Sequence, residues 1–172
     1  MARDVKKLTA MAGLTAVALI VFIIEAQVPL PLPIPGAKLG LANAVTLFAL
    51  FYGKGEKLSL TATDTFMILI CRIVLGAAFT GRFIAFALSV SGGLLAFAAQ
   101  AAMKRFVSPG QIWACGAVGA VAHNIGQIAA AALLIGNIGI AALLPGLIAA
   151  GLLAGAITGL AAQLTLARIK RA

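Results

Sequence analysis

The chain has 172 residues, of which 63% are hydrophobic and 10% are charged, and its mean hydropathy is +1.13. Soluble domains carry about 25% charged residues, so this composition excludes a soluble globular protein and indicates an integral membrane protein. The net charge of +9 comes from basic residues at the ends of apolar segments, where they meet water and lipid headgroups. This distribution leaves no basic face for nucleic acid.

The first predicted membrane span covers residues 8–24 and follows the basic residues Arg3, Lys6 and Lys7. A basic start before an apolar run is also typical of a secretory signal peptide. This run, however, ends in Ile-Glu-Ala-Gln at residues 24–27, which contains no A-x-A cleavage site. We therefore interpret it as a membrane helix.

A proline-rich segment follows the first span. Its prolines alternate with other residues and favour an extended polyproline-like chain, which cannot cross lipid because its backbone groups are unpaired. The four prolines are Pro29, Pro31, Pro33 and Pro35. We predict that the segment lies across the outer end of a helix bundle as a stiff lid. A rigid linker that fixes the first two helices is the alternative.

Five further spans are predicted over residues 37–52, 58–79, 83–103, 111–135 and 140–166. A spanning helix needs about 20 apolar residues, so the second span is short. The last is long enough to tilt or to begin as a separate turn before Pro145. We expect one all-α membrane domain over residues 1–172 with six transmembrane helices. We find no internal repeat, which argues against an inverted-repeat transporter.

The distribution of Lys and Arg between the spans predicts the orientation, because positive charge is retained on the cytoplasmic side. One set of ends carries ten basic residues: Arg3, Lys6, Lys7, Lys54, Lys57, Lys104, Arg105, Arg168, Lys170 and Arg171. The other set carries only Lys38 and Arg82. Both termini are therefore predicted to face the cytoplasm of a prokaryotic cell, and the proline segment to face outward.

Polar side chains within the spans concentrate toward the outer side. Such groups are costly in hydrocarbon and need a partner, a cavity or a function. On the fifth span, His123 and Gln127 are four positions apart and Asn124 and Gln127 are three apart, which places these side chains along one helix face. We predict a pocket that opens outward and binds a solute through Lys38, Asn43, Arg72, Arg82, His123, Asn124 and Gln127. For each residue alone, a hydrogen bond that merely joins two helices is an equal alternative.

The charges near this pocket indicate what it would bind. Lys38, Arg72 and Arg82 stand against Glu25 alone, and an uncompensated arginine in a low-dielectric site is stabilised by an anion. We expect a small-molecule solute with an anionic or electron-rich group.

The sequence lacks the residues that several kinds of chemistry require. It contains no G-x-x-x-x-G-K-[ST] nucleotide loop, so we do not expect ATP hydrolysis by that route. The only aspartates are Asp4 and Asp64, too few to hold the magnesium–diphosphate pair that prenyl-diphosphate synthesis requires. Cys71 and Cys115 lie in apolar runs and are interpreted as buried hydrophobic residues. We expect no catalytic residue, metal or cofactor.

Four segments together resemble a known family: residues 28–47, RIVLGAAFTGRF at 72–83, SGG at 91–93 and AHNIGQ at 122–127. The sequence resembles the family labelled heptaprenyl diphosphate synthase component I, also called the Gx transporter family. The resemblance covers nearly the whole chain. The enzymatic label conflicts with the missing aspartate clusters, so we expect a protein that is not an enzyme.

That family is itself similar to the substrate-binding S components of energy-coupling factor transporters. The resemblance implies six helices, an outward pocket beneath the first loop, and a docking surface at Ala12 and Ala16 for a transmembrane coupling subunit. It also implies separate ATPase subunits as partners, within the lipids of the cell membrane. The expected function is solute binding for ATP-driven uptake of a small metabolite, such as a vitamin or an isoprenoid or quinone precursor.

Two other functions stay open. The first is a non-transporting membrane subunit of an isoprenoid, quinone or flavin-linked redox system, which would need no solute pocket. The second is a self-sufficient secondary carrier, which the small size and the lack of repeats disfavour.

Overall fold

A computed structural model of the chain describes residues 2–27, 38–52 and 59–170. In these ranges it contains six α-helices and no β-strand: α1 Ala2–Gln27, α2 Asn43–Phe51, α3 Ala62–Thr80, α4 Phe83–Met103, α5 Ile112–Ile135 and α6 Leu144–Ile169. Short 3-10 helices, Pro109–Gln111 and Ile138–Leu143, precede α5 and α6.

Five segments of the described chain are long and apolar enough to cross a membrane. They are Asp4–Gln27, Ala62–Thr80, Phe83–Met103, Pro109–Ile135 and Ile138–Ile169. The prediction of an all-α chain with several membrane-type helices is therefore confirmed.

The predicted second span, residues 37–52, is not confirmed as a spanning helix. Helix α2 has 9 residues, from Asn43 to Phe51, and at 1.5 Å per residue it is about 13.5 Å long. The hydrocarbon core of a bilayer is about 30 Å thick. Residue 37, where we expected the helix to begin, lies outside the described part of the chain.

Local sequence signals explain the helix ends. Helix α3 begins at Ala62, later than predicted, because Thr61 and Asp64 form a capping box in which each side chain accepts the other residue's backbone N–H. Gly81 ends α3 in the left-handed region at φ 61°, which is accessible to glycine. Helix α4 has the predicted bounds. The 3-10 helix Ile138–Leu143 confirms a separate turn before Pro145.

Helices α5 and α6 approach so closely that their backbones touch. A Cβ atom added at Gly116 would lie 2.5 Å from the carbonyl oxygen of Gly155, and one added at Gly159 would lie 2.9 Å from that of Trp113. Small residues four positions apart permit such contact between membrane helices. Gly155 and Gly159 of α6 are therefore packing residues.

The helices alternate in direction, so the bundle has two ends. Lys7 and Asp64 form an ion pair of 2.7 Å between the beginnings of α1 and α3. At the same end, Lys104 after α4 donates a hydrogen bond to the carbonyl of Leu50 near the end of α2. We call this end, which carries residues 2 and 170, the terminal end, and the other the distal end.

Candidate functional site

Glu25 joins the end of α1 to the beginning of α2 at the distal end. Its carboxylate accepts the N–H groups of Gly40 at 2.7 Å and Leu41 at 3.2 Å. These amides precede a helix, where backbone donors lack helical partners and a negative charge is favourable. Although it is ionisable, Glu25 is only 6% exposed.

Gln127 on α5 holds the same segment from the other side. Its side-chain oxygen accepts the backbone N–H of Lys38 at 3.0 Å, and its side-chain nitrogen donates to the Lys38 carbonyl at 2.7 Å. The Lys38 ammonium lies 3.1 Å from the centre of the Phe22 ring, which is a cation–π contact. Helices α1 and α5 together thus fix residues 38–41. We call the bonds from Glu25 and Gln127 to these residues the distal latch.

Arg72 lies in the interior, 2% exposed. Its Nη2 donates to Oδ1 of Asn43 at 3.1 Å, and its guanidinium carbon is 5.8 Å from the centre of the Phe22 ring. Among the described residues, Arg72 Nε and Asn43 Nδ2 have no hydrogen-bond partner, and no carboxylate lies within 4.0 Å of the guanidinium. These two buried donors, one on Arg72 and one on Asn43, therefore remain unused.

His123 occupies a space that two glycines leave open. A Cβ atom at Gly40 or at Gly92 would each lie 2.7 Å from an imidazole atom. Gly40 also has φ +82°, which disfavours a side chain. On the next turn, a Cβ at Gly126 would lie 2.6 Å from the carbonyl oxygen of Ser91. The SGG and AHNIGQ sequences therefore face one another across the contact between α4 and α5.

Six charged or polar side chains lie together at the distal end. We call this set the distal polar cluster: Glu25, Lys38, Asn43, Arg72, His123 and Gln127. All of these side chains are buried except Lys38, which is half-buried.

Asn124 and Arg82 are not part of this cluster. The Asn124 side chain turns to α6, where its Nδ2 donates to the Leu147 carbonyl at 2.6 Å. Arg82 is the N-cap residue of α4 and is exposed. The predicted docking residues Ala12 and Ala16 are exposed on α1. The predicted lid residues Pro29, Pro31, Pro33 and Pro35 lie outside the described residues.

Glu25, Phe22 and Gly92 belong to the site but were not among its predicted residues. Glu25 could have been predicted, because it is an ionisable residue at the end of an apolar span. Phe22 carries no such signal, because a phenylalanine in a membrane helix is ordinary, and Gly92 was noted only as part of the SGG sequence that carries the family resemblance. Only the fold shows that Phe22 lies against two cations.

Positive charge outweighs negative charge in the cluster. Lys38 precedes α2 and lies outside the five candidate spans. Burial, together with the nearby charges of Arg72 and Arg82, lowers the pKa of Lys38 to about 8 against the opposing attraction of Glu25. Lys38 and Arg72 thus share one carboxylate, and the cluster has an excess positive charge when both are protonated.

The structure describes two cavities that no residue of this cluster lines, although Leu41, which is bonded to Glu25, borders the first of them. One is an apolar groove of about 480 Å³ bordered by α1, α2 and α6, and the other is a cavity of about 270 Å³ at the terminal end. The predicted outward pocket stays a prediction. Among the described residues, no three His, Cys, Asp or Glu side chains are grouped so that they could hold a metal ion.

Residues 14–165 match the family model described as heptaprenyl diphosphate synthase component I. The chain belongs to the heptaprenyl diphosphate synthase component I family. The match extends from α1 to α6 and includes every residue of the distal polar cluster, so the resemblance of the sequence to this family is confirmed. No curated protein and no solved structure matches the chain.

Proposed function

We propose that this family member is the membrane-embedded solute-binding subunit of an ATP-driven uptake transporter, similar to the S components of energy-coupling factor systems. In this proposal the chain crosses the plasma membrane of a prokaryotic cell with six transmembrane segments and both termini in the cytoplasm. A transmembrane coupling subunit docks at Ala12 and Ala16, and separate ATPase subunits supply the energy. The chain itself is not an enzyme.

The observation that carries the proposal is the pair of unused donors on Arg72 and Asn43. A buried donor without a partner costs about 1–3 kcal/mol, and most such groups in proteins are paired. An acceptor-rich solute would supply the missing partners. The excess positive charge supports an anionic or electron-rich group on that solute.

The position of these donors also indicates what must move. Residues 38–41 lie beside them and are held by the distal latch, with bonds from Glu25 and Gln127. A solute that reaches Arg72 from the distal end displaces this segment or passes beside it. The proline segment precedes it in the chain, which supports its predicted role as a lid.

A second candidate is a non-transporting membrane subunit of an isoprenoid, quinone or flavin-linked redox system. The description of the family, a component of heptaprenyl diphosphate synthase, favours this alternative. In that case the cluster would only join helices, and Arg72 would bind no solute.

Mass spectrometry of small molecules that copurify with the protein separates the two functions. We expect the wild-type protein to retain an anionic or electron-rich metabolite and the Arg72→Gln variant to lose it. Arg105→Gln, which removes an exposed charge at the terminal end, is the matched control and should retain it. Circular dichroism checks that each variant is folded.

Calorimetry with the recovered metabolite then gives the magnitude. A charge-assisted hydrogen bond contributes about 1.5–3 kcal/mol, so Arg72→Gln should raise Kd roughly 10- to 150-fold. Arg72→Lys keeps the charge but not the planar donor geometry, so its Kd should lie between those of the wild type and of Arg72→Gln. Unchanged affinity in a folded Arg72→Gln protein would refute the anion site, and no retained metabolite would favour the second candidate.

A further inference from the structure

An open groove of about 480 Å³ runs between α1 and α6. Helix α1 packs on α2 and α3, and α6 packs on α2 and α5. In the described part of the chain, α1 and α6 have no close contact with each other. Helix α2 is therefore the floor of the groove, and α1 and α6 are its two walls.

The surface of this groove is apolar. No charged residue is among the described residues that line it. Its two hydroxyl groups are already bonded, because Thr158 donates to the Ala154 carbonyl and Thr165 to the Ala161 carbonyl, each at 2.8 Å. An occupant of the groove therefore gains apolar contacts and no hydrogen bond from these walls.

The groove is too narrow for a helix. It extends from Leu14 to Val21 along α1 and from Thr158 to Thr165 along α6, which is about 10.5 Å on each wall. Its volume divided by this length gives a mean cross-section of about 46 Å², whereas a helix about 10–12 Å across needs about 80–110 Å². A hydrocarbon chain is narrower, since its carbon atoms contact their neighbours at about 3.5–4.0 Å.

The groove leads to the distal latch. Leu41 borders it, and the backbone N–H of Leu41 is one of the donors that Glu25 accepts. On α1, Val21 and Glu25 are four positions apart and so lie on one face. Ala44, which also borders the groove, directly follows Asn43. The apolar groove and the unused donors of the cluster therefore lie at the same end of α2, with the latch between them.

The proposed docking face for a coupling subunit leaves the groove free. Successive residues of a helix turn by about 100°, so Leu14 lies about 200° around α1 from Ala12. A subunit that docks at Ala12 and Ala16 thus contacts the other side of α1. The groove stays open to a small molecule while that subunit is bound.

We propose that the solute is a single-chain amphiphile whose anionic head binds Arg72 and Asn43 and whose hydrocarbon chain lies in the groove between α1 and α6. This inference rests on the proposed function and names its class of solute. Release of the latch joins the two parts of the site. Lys38 and Arg72 exceed Glu25 by one positive charge, which matches a head with one negative charge, such as a carboxylate.

Binding of unbranched carboxylates from hexanoate to tetradecanoate tests the proposal. Calorimetry uses the full chain in phosphatidylcholine nanodiscs, and the signal of empty nanodiscs is subtracted to remove simple partition. The affinity should rise about fourfold for each added CH₂ group, or about 200-fold from hexanoate to decanoate. The rise should stop near ten carbons, because a groove of about 10.5 Å holds about nine bonds of an extended chain.

Two variants fill the groove from opposite walls. Ala161→Trp and Val17→Trp replace exposed lining residues, and in each the decanoate affinity should fall to that of hexanoate. Ala149→Trp, at an exposed position of α6 that does not line the groove, is the matched control and should keep the full rise. Arg72→Gln should weaken every carboxylate by the same factor, at least about 10-fold, and leave the rise per CH₂ unchanged. Circular dichroism checks that each variant is folded.

A wild-type series that does not rise with chain length would overturn this inference but not the proposed function, which is tested separately by the metabolite that the protein retains through Arg72. A rise that both tryptophan variants keep would also overturn it, as would a series that Arg72→Gln leaves unchanged. Tighter binding of decyl phosphate than of decanoate would overturn the singly charged head. Displacement of decanoate by the two-chain lipid dioctanoyl phosphatidylglycerol would show that a membrane lipid occupies the groove, and would overturn the assignment to a solute.

Discussion

The contact between α5 and α6 gives a prediction that needs no ligand. Gly116→Ala adds a methyl group whose carbon would lie 2.5 Å from the Gly155 carbonyl oxygen and 2.8 Å from Gly159 Cα. Both neighbours are backbone atoms of another helix, so no side chain can rotate away and the helices must separate. Overpacking of this kind costs about 1–3 kcal/mol.

The matched control is Gly13→Ala on α1, where an added Cβ has no atom within 4 Å. Alanine is a better helix former than glycine by about 1 kcal/mol, and both variants share this gain. The difference between them therefore isolates the overpacking, and we expect Gly116→Ala to be less stable than Gly13→Ala by about 1–3 kcal/mol.

Equilibrium unfolding in mixed micelles, followed by circular dichroism, measures both variants. Gly155→Ala should behave like Gly116→Ala, because its Cβ would lie 2.6 Å from the Gly116 carbonyl oxygen. Equal stability of Gly116→Ala and Gly13→Ala would show that α5 and α6 are farther apart than described here.

Three further predictions concern orientation, docking and charge. In intact cells that express a variant without native cysteines, Leu32→Cys should react with an impermeant thiol reagent and Glu56→Cys should not; the reverse pattern would place the cluster on the cytoplasmic side. Ala12→Leu or Ala16→Leu should block uptake with solute binding nearly unchanged, because a larger side chain prevents close approach of a partner helix; normal uptake in both would exclude this docking face. Because the native pKa of Lys38 is about 8, below its unfolded value of about 10.4, the unfolded chain binds more protons between these values. Thermal stability should therefore rise across this pH range, and Lys38→Met should reduce the rise.

The fold was predictable where one physical signal dominates. Helix α4 has the bounds that hydropathy predicts, because it is a long apolar segment between a basic residue at each end. Helix α2 shows the limit of that signal: residues 37–52 are apolar enough for a span, but of the described residues 38–52 only Asn43–Phe51 is helical. Hydropathy reports whether a segment tolerates an apolar environment, and it does not report how much of that segment is helical.

The sequence predicted which residues form the site better than it predicted how those residues are arranged. Because Arg72, Asn43 and Gln127 were expected at a similar depth in the membrane, we predicted that they lie near one another. The spacing on α5 could not show that Asn124 faces α6 while His123 and Gln127 face the cluster, since neighbours on a helix point about 100° apart. Which face meets which helix depends on packing, and here on glycines such as Gly92 that a hydropathy pattern ignores.

Glu25 links the charge of the cluster to the position of residues 38–41. Its carboxylate is the acidic group near Lys38 and Arg72, and the same oxygens accept the amides of Gly40 and Leu41. The four bonds of the distal latch, at about 0.5–1.5 kcal/mol net each, hold the segment with about 2–6 kcal/mol. An anion bound between Arg72 and Lys38 would replace Glu25 as their counter-ion and repel its carboxylate, which weakens two of these four bonds. Under the proposed function, solute binding and release of the latch are therefore coupled through Glu25, and the coupling is reciprocal: a variant that weakens the latch must change the affinity for the solute.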